Sequence, residues 1–558
     1  MNSNYQKVST LFSQPLFLLI LATVICLLIY WPGLYGPFVL DDKDNLEYLL
    51  QPNLNYQDYV SHLMSTSGQL GRPIAMLSFT VSALLSQNVF YWKLANLAIH
   101  LVCGLLIYRL SQHLIYFAEP VANRDKPSPQ ALAVTLLWLL HPLHVSTVLY
   151  TVQRMTQLST MFLFAAMLSY LIARKRQLNS APFISHQILA WCVLFPLAMF
   201  SKENGLLFPL FVVLFELFLI QKDRVSNKQM SLILLGMGMA ALALFLYKAD
   251  SLFASFGGRN FTMSERLLTE SRILIAYLGM LIMPTQKNMG FLHDDFTLSS
   301  GLFAPVTTIL SIAGIALLIV AAFYFRKRQP LFSLGILFFF VGHLMESTIF
   351  ALELMFEHRN YLPSVGIFLA LNAVVPLALE NKNFCRSLSV LFLSLLTFST
   401  WLRADSWSSQ ERLFYDTERY HPRSERMAAV LSEQAAEIGN YQRARDKLKD
   451  FNTSGADIKR LYIDCLENKS LTESQLISTG TTSTLIDNFA VIGIVDIANL
   501  GLDDKCNFSS SSFLNWLDSL LSQRISTGSN RQMVMMYKAH YLWRLGQKNK
   551  AVASLKET

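Results

Sequence analysis

Two adjacent carboxylates, Asp41 and Asp42, are the side chains in this sequence with the clearest potential for chemistry. They follow an apolar stretch, Pro15–Trp31, that is long enough for a membrane span, and they begin a long polar loop. A carboxylate held at the edge of a membrane bundle can act as a general base or as a metal ligand. The alternative is a polar loop that starts with two acidic residues and has no catalytic role.

Four other groups of polar residues are predicted at the same membrane boundary. Polar residues at membrane depth cost free energy unless they are paired or functional, and a single one is more often a capping or helix-pairing group. Together with an acidic pair they favour a site for an anionic amphiphile, in which Arg and Lys bind phosphate oxygens and the carboxylate activates a nucleophile. The groups are His141 and His144 with Arg154, Lys202 with Glu203, His343 with Glu346, and His358, Arg359 and Tyr361 after Glu357.

The composition requires a membrane bundle to position these residues. Of 558 residues, 53% are hydrophobic and only 15% are charged, which is too apolar for a soluble domain. Apolar runs near 20 residues predict about eleven transmembrane helices in residues 1–403. Their approximate bounds are 15–31, 90–110, 130–149, 156–173, 186–201, 205–220, 230–247, 302–325, 330–350, 361–379 and 386–403.

Basic residues predict the orientation of these helices. Clusters such as Arg174-Lys175-Arg176 and Arg326-Lys327-Arg328 fall in alternate connections, which the positive-inside rule places in the cytoplasm. The acidic pair and the C-terminal region are then predicted outside, and the net charge of +8 reflects topology rather than nucleic-acid binding. Two further apolar segments, Leu267–Pro284 and Gly71–Leu85, are predicted as surface helices that roof a cavity at the outer boundary.

Residues 404–558 have a different character and predict an extracytoplasmic helical domain. Two helical hairpins, one around Gly439 and one around Gly546, resemble tetratricopeptide repeats, and Ala551 in the second matches Ala444 in the first. The alternative is a generic helical bundle. Cys465 and Cys506 are the only cysteines of this domain and are a candidate disulfide, because disulfides are permitted outside the cytoplasm. No Cys/His spacing typical of a metal site is present.

A set of short motifs resembles one family of membrane proteins. This is the family that combines a multi-span body with C-terminal tetratricopeptide repeats and includes lumenal O-mannosyltransferases and bacterial relatives. The similarity covers about residues 15–450. The motifs, in order, are Phe38-x-x-Asp41-Asp42, Gly71-Arg72-Pro73, Leu94-x-Asn96-x-x-x-His100, Leu140-His141-Pro142-Leu143-His144-Val145, Ser201-Lys202-Glu203 and Arg359-x-Tyr361-Leu362-Pro363-Ser364.

The resemblance implies a polytopic, all-α membrane helix bundle of the C-type glycosyltransferase fold. Such an enzyme transfers a sugar from a polyprenyl-phosphate donor on the outer face, with inversion, to an extracytoplasmic protein or glycan that the C-terminal helices recruit. For a bacterial relative this places the chain in the inner membrane, among membrane lipids, with its C-terminal domain in the periplasm. No nucleic-acid partner is expected.

The chemistry expected of the residues agrees with this activity. Asp41 or Asp42 would take the proton of the acceptor hydroxyl, with or without Mg²⁺ or Mn²⁺ between the carboxylate and the phosphate. Glu203 is expected to pair with Lys202 or a neighbour. The candidate phosphate ligands are Arg72, Arg154, Lys202 and Arg359, and the candidate supporting residues are His141, His144, Glu203, Glu346, His358 and Tyr361.

Two other functions compete with glycosyl transfer to protein. The first is a polymerase, ligase or transporter for a lipid-linked glycan; a transporter would favour charges near the bilayer midplane and repeated halves, neither of which the sequence shows. The second is a membrane-anchored scaffold whose repeats recruit assembly partners. About eleven spans with clustered ionisable residues exceed what an anchor needs.

Overall fold

The described part of the chain is all-α, as predicted. A computed structural model describes residues 15–51, 54–64, 71–119, 128–378, 382–479, 488–523 and 529–556. Within these ranges the regular structure is helical, and β-pairing is limited to two isolated bridges, Gly301 with Ala304 and Ser470 with Asn507.

Several helices are long and apolar enough to cross a membrane, which confirms the predicted multi-pass architecture. Seven such helices lie in the described ranges, and a bent pair, Pro129–Leu139 with Pro142–Leu149, makes an eighth if the pair is one span. The other three predicted spans correspond to shorter apolar helices, Leu16–Tyr30, Pro330–His343 and Ser364–Val374. The seven long helices are Val89–Ala118, Thr151–Leu178, Ile184–Ser201, Glu203–Ile220, Lys228–Ala254, Thr307–Phe325 and Ser387–Ser406.

The third predicted span is bent by 50° after Leu139, near a proline. Pro142 has no N–H to donate, and the residue before a proline is pushed away from helical geometry. His141 accordingly adopts an extended conformation, and its side chain accepts the backbone N–H of Leu143. The continuous span predicted over 130–149 is therefore two short helices with His141 at the break.

Two helices that the sequence predicts to lie at the membrane surface, rather than to cross it, border the candidate active site. Pro73–Leu85 follows Arg72, and Met263–Ile282 begins at a capping box in which Thr262 and Glu265 satisfy each other's backbone N–H groups. Neither is among the helices long and apolar enough to cross a membrane. Two largely non-helical segments, 283–306 and 344–356, follow Met263–Ile282 and Pro330–His343 respectively.

The start of the C-terminal region packs on the membrane body. Buried side chains of the membrane body form one apolar core that also includes Leu413, Phe414 and Met427. Separate cores hold the later helices together. The predicted boundary between residues 403 and 404 falls inside the helix Lys382–Ser406.

The C-terminal helices form the two hairpins that the sequence predicts. Gly439 and Gly546 turn the chain with φ of +76° and +77°, which glycine adopts without strain. Cys465 and Cys506 are joined in a disulfide with Cα atoms 5.6 Å apart. The helices are Gln410–Tyr420, Glu425–Glu437, Tyr441–Leu448, Ser454–Asn468, Glu473–Thr479, Asn488–Leu502, Ser510–Gln523, Ser529–Arg544 and Lys548–Lys556.

Candidate active site

The two adjacent aspartates occupy different environments. They open a short helix, Asp41–Leu46, which the chain enters through Leu40 at a positive φ of 39°. The Asp41 side chain is exposed and its backbone N–H donates to the Tyr150 hydroxyl at 3.0 Å, whereas Asp42 is fully buried. Only Asp41 is therefore accessible to a substrate.

Asp42 is held by backbone groups at the start of another helix. Its Oδ1 accepts the N–H of Val152 at 2.6 Å, and its Oδ2 accepts the N–H of Thr151 at 3.2 Å and of Val39 at 3.4 Å. A carboxylate is favourable there because the first N–H groups of a helix lack partners and carry partial positive charge. Burial raises the pKa of Asp42 to about 7, against the lowering effect of these amides and of Lys93.

A cavity of about 420 Å³ brings together most of the predicted site residues. Its walls come from six separate parts of the chain, among them the Asp41 helix, the residue before the helix Pro73–Leu85, and the segment 344–359. The ionisable side chains that line it are Asp41, Arg72, Lys202, Glu203, Arg259, Glu346, Glu353, His358 and Arg359.

Two of the predicted phosphate ligands are paired with carboxylates at the cavity surface. Arg72 contacts Glu203 through two nitrogens, with Nη2 at 2.9 Å and Nε at 3.1 Å from Oε2. Lys202 contacts Glu346 at 2.5 Å and also donates to the Thr156 hydroxyl at 3.1 Å. Burial raises the pKa of Glu346, but the charges of Lys202 and Arg359 outweigh it and lower this pKa to about 2.

Arg359 is mostly buried in the cavity wall, which it also stabilises. Its guanidinium donates to the carbonyl oxygens of Glu353 and Leu354, at 2.5 and 2.7 Å, and lies 3.8 Å from Glu270. Burial raises the pKa of Glu270 to about 7, although Arg359 and Arg266 both favour its charged form.

Two arginines that the sequence analysis did not select are part of this arrangement. Arg259 lines the cavity and contacts Glu353 at 2.7 Å. Arg266 is fully buried and donates to the carbonyl oxygens of Glu346, Thr348, Leu352 and Glu353, at 2.7, 2.9, 2.6 and 3.3 Å. The only sequence signal is that Arg266 directly precedes the predicted surface helix Leu267–Pro284.

Arg154, a predicted phosphate ligand, does not line the cavity. It is 2% exposed, and its guanidinium donates to Asn96 Oδ1 at 2.7 Å, to the Ser82 hydroxyl at 2.6 Å and to the carbonyl oxygens of Ser78 and Trp92. These contacts join three helices. The geometry gives Arg154 a structural environment, and of the four predicted phosphate ligands only Arg72, Lys202 and Arg359 line the cavity.

Three predicted supporting residues also lie in the core rather than at the cavity. The Tyr361 hydroxyl is 2.9 Å from His100 Nδ1, and Trp138 Nε1 donates to the Tyr361 carbonyl at 3.0 Å. His141 contacts the carbonyl of Leu281 at 3.2 Å, and His144 packs edge-on against Tyr361. This cluster supports the bend after Leu139 and fixes the start of the helix Ser364–Ala378. Of the supporting set, Glu203, Glu346 and His358 line the cavity.

The aspartate pair does not fit a divalent metal site. Both carboxylate oxygens of Asp42 accept backbone N–H bonds, and the side chain has no exposed surface toward Asp41's cavity. Within the described ranges, no group of three or more His, Cys, Asp or Glu side chains is arranged to hold a metal ion. The two aspartates are therefore not placed to share the predicted Mg²⁺ or Mn²⁺ ion.

Comparison with known proteins bears on the activity. The chain is similar to protein O-mannosyl-transferases. It is 22% identical over 425 residues, 72% of its length, to one from Caenorhabditis elegans, and 28% identical over 204 residues, 34% of its length, to one from Mus musculus. The chain spans 57% of the nematode protein and 20% of the mouse protein. No family model matches the chain, and no solved structure matches it.

Proposed function

We propose that this protein is a membrane glycosyltransferase that moves a sugar from a polyprenyl-phosphate donor to a hydroxyl group of an extracytoplasmic protein. The observation that carries the proposal is the convergence of Asp41 with Arg72, Lys202 and Arg359 on one cavity at the end of an apolar bundle. The similarity to proteins named O-mannosyl-transferases supports the reaction class and suggests mannose as the sugar.

Asp41 is the proposed general base. Its carboxylate takes the proton of the acceptor hydroxyl while that oxygen attacks the anomeric carbon of the sugar. The bond between this carbon and the phosphate oxygen breaks, and polyprenyl phosphate leaves with the bonding electron pair. A single displacement of this kind inverts the configuration at the anomeric carbon.

The cations of the cavity are proposed to stabilise the leaving phosphate. Arg72, Lys202 and Arg359 are each oriented by a carboxylate, so their side chains are already placed before the donor binds. Phosphate oxygens would share or replace those carboxylate contacts, because guanidinium and ammonium groups bind both kinds of oxyanion. Arg259, paired with Glu353, is a fourth cation in reach of the same space.

We propose that the cavity opens on the extracytoplasmic side, which is the periplasm for a bacterial inner-membrane protein. The disulfide between Cys465 and Cys506 favours an oxidising compartment for the C-terminal domain. That domain contacts the segment 283–306, since Asp295 pairs with His421 at 3.0 Å. These observations support a cavity and a disulfide on the same side of the membrane, with the C-terminal hairpins, proposed as tetratricopeptide repeats, near the acceptor.

The test uses the full-length protein in lipid nanodiscs with radiolabelled polyprenyl-phosphate mannose and threonine-containing peptides. We expect labelled peptide from the wild-type protein and about a hundredfold less from Asp41→Asn. Asp503→Asn, an exposed acid of the C-terminal domain, is the matched control and should keep full activity. Equal transfer by Asp41→Asn contradicts the assignment of the base. Movement of the intact donor lipid without sugar transfer would instead favour a transporter.

A further inference from the structure

A second cavity, of about 260 Å³, adjoins the candidate active site. Glu353 and Phe356 line both cavities, so the two spaces share a wall. We infer that this second cavity, named here the acceptor chamber, binds an extended polypeptide segment and takes an apolar side chain next to the residue that receives the sugar. The inference rests on the proposed function and specifies the acceptor.

The lining of the acceptor chamber suits an apolar side chain. Phe296, Leu298, Leu354 and Phe356 line it and are only half-buried, so each keeps apolar surface that a ligand can cover. Arg272 lies 4.9 Å from the centre of the Phe296 ring and donates to the Thr297 carbonyl, which fixes this wall. Polar side chains also line the chamber, which suits the amide groups of a peptide backbone beside an apolar side chain; they are Asn260, His293, Asp294, Glu353 and Arg426.

The shape of the surrounding surface favours an extended occupant. Arg426, on the first hairpin of the C-terminal domain, lines the acceptor chamber, and its neighbours Ser424 and Met427 line a further groove of about 240 Å³. His293 of the chamber stacks edge-on against His421 of that groove, with ring centres 4.7 Å apart. The candidate active site, the acceptor chamber and this groove thus lie in succession from Asp41 to the first C-terminal hairpin, an arrangement that suits an extended chain better than a compact molecule.

Side chains from the membrane body and from the C-terminal domain fix the mouth of the acceptor chamber. Asp294 accepts the Ser424 hydroxyl at 2.5 Å and the backbone N–H of Arg426 at 3.0 Å. Glu353 lies between Arg259 of the candidate active site, at 2.7 Å, and Arg426, at 3.9 Å. The C-terminal domain is therefore held where an acceptor leaving its groove would enter the chamber.

The first experiment compares acceptor peptides with the wild-type protein in nanodiscs. Each peptide carries one threonine, flanked by Phe or Val in one series and by Asn or Asp in a matched series. We expect the apolar series to have a KM about tenfold lower at saturating polyprenyl-phosphate mannose. Equal KM values for the two series, or a preference for the polar series, would overturn the inference.

The second experiment changes the chamber. Phe296→Ala with Leu298→Ala should raise the peptide KM about tenfold and leave the KM of the donor lipid unchanged. Tyr415→Ala removes an aromatic ring that is 62% exposed and lines neither cavity, and it should change neither value. An unchanged peptide KM in the folded double variant overturns the inference.

Photocrosslinking to the unmodified protein covers the case in which the double variant does not fold. A peptide with benzoylphenylalanine beside its threonine should label the segments 292–298 and 353–356, and labelling confined to other segments would contradict the inference. Failure of the proposed function can be distinguished from failure of this inference. If the proposed function is wrong, polyprenyl-phosphate mannose is not consumed with any peptide. Consumption with transfer only to glycans leaves the donor assignment intact and rejects the peptide acceptor.

Discussion

Asp42 Oδ1 accepts the backbone N–H of Val152 at 2.6 Å, across 110 residues of sequence. This contact ties the loop after the first apolar helix to the start of the helix Arg154–Leu178 and leaves the neighbouring Asp41 facing the cavity. One carboxylate of the pair therefore holds the other in place, and substitutions at the two positions should have different effects.

The first prediction separates the two aspartates. Asp41→Asn should lower sugar transfer about a hundredfold with an unchanged melting temperature, because an exposed base is lost. Asp42→Asn removes the charge that three backbone N–H groups share and should cost about 1–3 kcal/mol of unfolding free energy. Thermal melting in detergent and transfer assays measure both effects. An inactive Asp42→Asn of full stability, beside an active Asp41→Asn, would reverse the assignment.

The second prediction concerns Arg154. Arg154→Lys cannot satisfy the acceptors of Asn96, Ser82 and Trp92 together, so it should lower the unfolding free energy by about 1–3 kcal/mol. The donor KM of the remaining folded protein should stay the same. Arg72→Lys is the comparison, since it should raise the donor KM with a smaller loss of stability. Matching changes in donor KM for both variants would show that Arg154 contacts the donor.

The third prediction uses the pair formed by Lys202 and Glu346. Lys202→Met leaves a buried carboxylate without its cation and should cost about 3–5 kcal/mol. Adding Glu346→Gln removes that charge and should restore most of the stability but not the affinity for the donor lipid. A double variant that recovers both properties would mean that Lys202 serves only the fold.

The fourth prediction is a pH dependence that originates from Glu270. Its pKa is raised by burial to about 7, while an unfolded glutamate titrates near about 4.3. Between these values the folded protein keeps a proton that the unfolded chain has lost, so stability falls as the pH rises through this window. Glu270→Gln should reduce the fall in melting temperature between about pH 5 and pH 7, and Glu473→Gln, an exposed acid, should not. An identical profile for Glu270→Gln would contradict the assignment.

The fifth prediction concerns the disulfide and the side of the membrane. Replacing Cys465 and Cys506 by Ser opens a loop with a sequence separation of 41, and the chain-entropy model predicts a loss of about 3–4 kcal/mol for the C-terminal domain. When cells are lysed in a denaturant, which exposes these buried side chains, neither cysteine should react with a maleimide until a reductant is added. Reaction without a reductant would indicate a reducing compartment and place the C-terminal domain in the cytoplasm.

The bundle was predictable because apolar runs are local features of sequence. Each predicted span coincides with an apolar helix or with the bent pair, and the bend itself follows from Pro142. Helix lengths were less predictable: the span predicted over 330–350 stops at His343, where the chain turns to carry Glu346 toward Lys202. Such a stop depends on tertiary contacts, which periodicity does not record.

The site was only partly predictable, because its composition also depends on tertiary contacts. Arg72, Lys202 and Arg359 share the charge and the boundary position of Arg154, but only these three line the cavity, and which cations line it depends on which helices meet. The sequence likewise presents Asp41 and Asp42 as equivalent, although adjacent residues of a helix point in different directions. Arg259 and Arg266 are not evident in the sequence because the backbone oxygens that they bind, in the segment 346–353, lie at least 80 residues away in the chain.

The contacts of Arg266 have a consequence for how the substrate preference of this protein could change. Its guanidinium recognises four main-chain oxygens of the segment 346–353, which every amino acid supplies. The path of this wall is therefore set independently of the side chains at Thr348, Phe350 and Leu352. New side chains at Phe350 and Leu352, which line the cavity, can therefore change the molecules that the cavity accepts, while the backbone that carries them keeps its course.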